Sequence, residues 1–155
     1  MMVNICVGAS AGGHLNQLIL LIDNATNWPC KPDLCVTTHQ QVVGKLSNKY
    51  GNTVVLGDCN RNTILGIINV LYKSFLIAKK YKPKVIISTG SLPIAIFCLW
   101  GKIMGARIIW IDSIANIDSL SMSGKLVYRF ADLFLVQWEE LVSIFPKAKY
   151  SGKLI

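Results

Sequence analysis

A histidine set among glycines directly after an apolar run can do chemistry. The stretch VGASAGGHLNQL, Val7 to Leu18, passes from such a run through Gly8, Ser10, Gly12, Gly13 and His14 into a helix-like segment. Small residues let a ligand approach backbone N–H groups, and an imidazole beside them can move a proton. A second turn, Ser88-Thr89-Gly90-Ser91-Leu92-Pro93, follows another apolar run. Helix N-termini at such turns favour anions, so the two together suit one diphosphate. The helix dipole at His14 favours a neutral imidazole, which suits a general base or a hydrogen-bond partner of a reacting hydroxyl. A capping or packing role stands beside that reading. His39 lacks such a setting and is read as structural.

Two familiar nucleotide sites do not fit. The spacing G-x-x-x-G-G differs from the G-x-G-x-x-G of dinucleotide binders, and the second apolar run ends in Val36-Thr37-Thr38-His39 with no acidic residue for ribose hydroxyls. No G-K-[ST] follows the first turn, so it is not a P-loop. A tight strand-to-helix connection is the remaining structural explanation.

The elements that must hold these turns alternate along the chain. VNICV precedes a helical pattern over 14–24, LCVTT one over 40–49, and TVVL one over 63–80. KVIIS precedes 92–104, RIIWI precedes 123–130, and LFLVQ precedes 139–145. Several strands are apolar on both faces, as in a parallel sheet covered by helices. The expectation is an α/β fold, a doubly wound parallel sheet, forming one domain over residues 1–155. Leu15, Leu18, Ile19 and Ile22 give the first helix one packing face. The third is apolar around most of its circumference and ends in Lys79, Lys80, Lys82 and Lys84. It is either a buried helix with a solvated basic end or one lying on a membrane with lysines at acidic headgroups.

Sixteen Lys and Arg against eight Asp and Glu give a net charge of +8, which favours an anionic partner. Basic residues are not interleaved with stacking aromatics, so nucleic acid is not expected. Five cysteines, odd in number and without a C-x-x-C pair, read as reduced core thiols of a cytosolic protein rather than a zinc site. The start MMVNICV has no basic n-region, so no signal peptide is expected. Mean hydropathy is high at +0.46. Yet 92–111 is interrupted by Gly101, Lys102, Gly105 and Arg107, and 63–78 is short and carries Asn69 and Lys73, so neither reads as a membrane span. Gln137-Trp138-Glu139-Glu140 follows the last expected strand. Trp138 and Glu139 suit a partner interface, or Trp138 closes the core below a helix whose first turn carries the glutamates.

The segments SAGGH, STGSLP, WIDSIANIDSLSMSGKLVY and ADLFLVQWEEL, with the closing FPKAKYSG, resemble the acceptor-binding, membrane-associating subunit of a two-part β-1,4-N-acetylglucosaminyltransferase of dolichol-linked oligosaccharide assembly. They look closest to bacterial counterparts in capsule and exopolysaccharide synthesis. The resemblance implies the Rossmann-like N-terminal half of a GT-B glycosyltransferase. A separate small nucleotide-sugar-binding subunit would complete this inverting enzyme, and alone the chain would be inactive or weakly active.

By position, the resemblance puts Ser10, Gly12, Gly13 and His14 in an acceptor loop and Gly90 and Ser91 near a polyprenyl-linked diphosphate. It makes Asp112 and Ser113 the family's acidic-Ser pair, with Asp for the usual Glu and Asn116 for a frequent arginine. His14 and Asp112 are alternative bases, a carboxylate filling that role if desolvated. Lys125 either touches the acceptor phosphate from a loop or belongs to a serine-capped helix start. No metal or cofactor is expected, since backbone donors can stabilise the leaving diphosphate. The expected location is cytoplasmic, peripheral on the inner face of the cell membrane. The competing expectation is a non-catalytic membrane scaffold that stimulates its partner.

Overall fold

The computed structural model describes residues 3–59 and 64–155. The alternating pattern folds as expected, with one strand more. Four-residue strands β1 (Ile5–Gly8), β2 (Leu34–Thr37) and β3 (Asn52–Val55) alternate with helices α1 (Gly13–Asn24) and α2 (Val43–Tyr50). Next come α3 (Ile64–Tyr81), β4 (Val85–Ser88), α4 (Leu92–Ile103), β5 (Arg107–Ile111), α5 (Met122–Val127), β6 (Leu133–Val136), α6 (Glu140–Ile144) and β7 (Ala148–Tyr150). A 3-10 turn at Gln40–Val42 replaces the start of the expected second helix. The fifth helix is shorter than expected, and β7 was not anticipated. It is a three-residue edge strand of which only Ala148 is buried, so its apolar signal is one residue deep.

All seven strands are parallel, in the order β3-β2-β1-β4-β5-β6-β7. The chain therefore moves outward from β1 in one direction and from β4 in the other. The reversal falls between β1 and β4, the crevice where open α/β sheets bind ligands at their carboxyl edge. The two turns singled out from sequence follow these two strands.

Strand side chains alternate between two cores. On one face Cys6, Ile86, Ile108, Trp110, Phe134 and Val136 pack against α3 to α6 through Ala78, Ile94, Phe97, Val127 and Leu141. On the other, Ile5, Val7, Cys35, Ile87 and Ile111 meet Leu15 and Leu18 of α1 and Leu46 and Tyr50 of α2. That second face is unevenly clothed. Toward β5 and β6, Ile109 and Leu135 are only half-buried, and Leu154 of the chain's last residues packs beside them.

No two cysteines are bonded. Burial pushes the Cys35 thiol up to about 12 and raises Cys6 and Cys98 well above the usual thiol range. An alkylating reagent is expected to label the half-buried Cys30 before any of these three in the folded protein, as peptide mapping would show.

Candidate functional site

The two turns meet in a reciprocal clamp across the crevice. The Nδ1–H of His14 donates to the Thr89 carbonyl at 2.9 Å, and the Thr89 hydroxyl donates to the His14 carbonyl at 2.6 Å. Because a carbonyl can only accept, this fixes the Nδ1–H tautomer in the neutral ring and leaves the Nε2 lone pair free to take a proton. Thr89 is wholly buried and His14 is half-buried, so the clamp has one fixed jaw and one that reaches the surface.

Backbone shape makes this contact possible. Gly90 has φ +136°, and a Cβ there would lie 2.5 Å from both Cε1 and Nδ1 of His14. Ser91, the residue before α4, also holds a positive φ of +94° although it is not glycine. The Ser88 hydroxyl accepts the Gly90 N–H at 3.1 Å and holds the turn. Gly12, with φ +101°, ends the first loop, and α1 starts at Gly13. Cβ atoms built on Gly12 and Gly13 would meet nothing within 4 Å, so there is open space beside these two residues at the start of α1. Ser10 lies in the same loop, half-buried, and Ala11 N–H donates to Thr38 Oγ1 at 3.3 Å. His39 joins that edge, its Nδ1 2.8 Å from Thr38 Oγ1.

These contacts separate two glycine substitutions. Gly13→Ala is expected to keep or raise stability, by up to about 1 kcal/mol, while crowding the space an acceptor would use. Gly90→Ala is expected to cost about 1–3 kcal/mol and to displace His14. Thermal unfolding of both variants checks the contrast.

Asp112 sits differently. It is 1% exposed, and its carboxylate accepts Ser121 N–H at 2.8 Å, Ser121 Oγ–H at 2.5 Å and Trp110 Nε1–H at 3.2 Å. Ser121 Oγ in turn accepts Gly124 N–H at 2.8 Å and so caps α5. A Cβ on Gly124 would come 2.5 Å from Asp112 Oδ1. In this arrangement the carboxylate anchors the segment leading into α5, rather than standing open to a substrate. Ser113 Oγ accepts Ala115 N–H at 3.3 Å within the turn after β5, and Lys125 is exposed on α5, whose start is serine-capped.

Trp138 is half-buried. Its Nε1–H donates to the Ile114 carbonyl at 2.7 Å, and Lys153 Nζ lies 3.7 Å from its ring centre. These contacts bind it to other parts of this chain, whereas Glu139 beside it is exposed.

Positive charge gathers away from the two turns. Lys79 and Lys80 end α3, Lys82 and Lys84 precede β4, and Arg107 opens β5, all at the amino edge of the sheet. The chain's connections carry these residues to the edge opposite the two turns. A recess of about 760 Å³ lined by Trp28, Lys31, Lys49 and Tyr50 also lies at that amino edge, between the C-terminal ends of α1 and α2. The carboxyl edge is the candidate site because, among the described residues, a titratable ring, two positive-φ turns and the start of α1 converge there. Among the described residues no His, Cys, Asp or Glu group could hold a metal ion, and no helix is long and apolar enough to cross a membrane.

The human UDP-N-acetylglucosamine transferase subunit ALG14 is 24% identical over 99% of this chain and 83% of its own length. Its Schizosaccharomyces pombe namesake is 36% identical over 58% of this chain and 43% of its own. Among solved structures, a UDP-N-acetylglucosamine 2-epimerase from Rickettsia bellii superposes with TM-score 0.70 at 16% identity, covering 99% of this chain and 46% of that one. MurG of Acinetobacter baumannii gives TM-score 0.68 at 10% identity over 86% of this chain and 41% of its own. This chain thus has the Rossmann-like fold found in these two solved structures and spans less than half the length of each of the two. Residues 52–154 match the family described as oligosaccharide biosynthesis protein Alg14 like, and the chain belongs to that family.

Proposed function

We propose that this chain is the acceptor-side subunit of a two-component inverting glycosyltransferase. It holds a polyprenyl-pyrophosphate-linked sugar, and a small partner subunit supplies the UDP-sugar, as in bacterial capsule or exopolysaccharide synthesis. The observation that carries this reading is the His14–Thr89 clamp at the switch point, beside open space over Gly12 and Gly13. The relatives' names make GlcNAc the donor sugar to test first, and a β-1,4 linkage of the product is part of the proposal.

In the reaction, a hydroxyl of the acceptor sugar attacks the anomeric carbon of the donor. The new C–O bond forms as the bond to the UDP oxygen breaks, inverting that carbon. His14 Nε2 takes the hydroxyl proton, while Thr89 holds the ring through Nδ1–H. The N–H groups at the starts of α1 and α4, with Ser10, Gly12, Gly13, Gly90 and Ser91, hold the acceptor diphosphate. Ser113 and Lys125 border that site from the β5 and α5 side, and Asp112 anchors the segment between them.

Two surfaces support the remaining parts of the reading. On α3, Ile64, Leu65, Ile68, Tyr72 and Leu76 are exposed, with Lys73, Lys79 and Lys80 on the same helix. A helix exposing such a stripe suits peripheral contact with the inner face of the cell membrane. The half-buried Ile109 and Leu135, with exposed Glu139 at the carboxyl edge, suit the partner subunit.

The test is co-expression with a candidate small UDP-sugar-binding glycosyltransferase subunit, assayed with UDP-GlcNAc and a short-chain polyprenyl-pyrophosphoryl-GlcNAc. Transfer by the assembled pair, and little by either chain alone, supports the reading. Full activity of this chain alone overturns it. Unchanged turnover in assembled His14→Ala and Asp112→Ala pairs leaves only the scaffold role.

A further inference from the structure

Next to the proposed site lies a buried side-chain amide that the mechanism above does not use. Gln137, directly after β6, is 2% exposed, and each of its polar groups is committed to a different segment. Its Nε2 donates to the Asp112 carbonyl at 2.9 Å and to Gln17 Oε1 at 3.2 Å, and its Oε1 accepts Leu154 N–H at 2.7 Å. The amide orientation is forced, because the Asp112 carbonyl can only accept and the Leu154 N–H can only donate. Gln17 is itself 8% exposed and lies one helical turn after His14 on α1, on the same side of the helix.

We propose that Gln137 is a positioning residue of the transfer site, and this rests on the function proposed above. One amide sets α1, and with it His14, against the start of the segment after β5, and holds both to the last residues of the chain. Trp138 strengthens the same junction, gripping the Ile114 carbonyl and Lys153 on either side of it. The bond that a neutral apolar side chain would most damage is the one to Gln17, since it alone reaches the His14 helix. Misplacement of a reacting group by about 1 Å costs on the order of 100-fold in rate.

The experiment has an activity arm and an arm that needs no partner. In the assembled pair with UDP-GlcNAc and the short-chain acceptor, Gln137→Met and Gln17→Met are expected to lower kcat by about 10- to 100-fold with the KM for UDP-GlcNAc unchanged. The double variant should fall no further than Gln137→Met, since the two share one bond. Gln17→Glu keeps an acceptor for Gln137 Nε2 and is expected to restore kcat. In the full chain alone, ring-¹⁵N NMR is expected to show the His14 signals displaced in Gln17→Met and the His39 signals unmoved. Since the chain has only two histidines, His39→Asn assigns them.

Unchanged kcat in a folded Gln17→Met pair overturns the proposal, as do unmoved His14 signals. A loss confined to thermal stability also overturns it. If Gln137→Met does not fold, Gln17→Met decides alone. If the wild-type pair makes no product, the proposed function falls, and the NMR arm still settles whether Gln137 and Gln17 position His14.

Discussion

His14→Asn is expected to abolish most sugar transfer while leaving the fold and the two-subunit assembly intact. The asparagine Nδ2–H can reach toward the Thr89 carbonyl as imidazole Nδ1–H does, at 2.9 Å in the native clamp, but offers nothing in place of Nε2. It therefore separates holding the two turns together from taking a proton. General-base contributions are about 10²- to 10⁴-fold, so kcat should fall by that range with the KM for the sugar nucleotide nearly unchanged. His14→Ala should lose as much activity and some stability too, because the Thr89 carbonyl then loses its donor. The measurement is initial rates beside size-exclusion profiles and melting curves for both variants. A His14→Asn pair that turns over like the wild type would remove His14 from the chemistry and leave it the role of a tie between two loops.

The frame that presents His14 was largely legible from sequence, and the reason lies in its two periods. Strands such as RIIWI and KVIIS are apolar on both faces because helices cover both, and that pattern has few other solutions. The glycines were legible for the same kind of reason: Gly12 and Gly90 occupy backbone conformations that few other residues adopt. Partners distant in sequence were not legible. Nothing local in Thr89 announces that its carbonyl and hydroxyl clamp a residue 75 positions earlier, or in Gln137 that it reaches Gln17 across 120. The serine that caps α5 was within reach, since Ser121 stands three residues before Gly124 at a helix start, but its second bond to Asp112 was not. The placement of the lysines was not legible for a related reason. Composition counts charges, whereas the topology decides which edge of the sheet they reach.

Asp112 is where residue type and environment pull apart, and substituting it is expected to cost stability before it costs chemistry. Asp112→Ala strands the Trp110 and Ser121 N–H donors and the Ser121 hydroxyl beside a residue that is 1% exposed. Buried groups left unpaired cost about 1–3 kcal/mol each, so a total near 3–5 kcal/mol is expected, against a domain stability of about 5–15 kcal/mol. For a chain of this size that lowers Tm by roughly 10 °C or more. Asp112→Asn is the sharper test. It keeps one oxygen as an acceptor but turns an NH₂ group toward a donor, so its cost should fall between those of Ala and wild type. An anchoring role predicts a lower Tm with much of the transfer activity retained by the folded pair well below that Tm. A proton-accepting role predicts the reverse, an unchanged Tm and loss of transfer. Gly124→Ala provides an independent check, because its methyl group would press on Asp112 Oδ1 from 2.5 Å without altering the carboxylate. If anchoring is what Asp112 does, Gly124→Ala and Asp112→Asn should lower Tm in the same direction and their effects should be less than additive, since both loosen one junction.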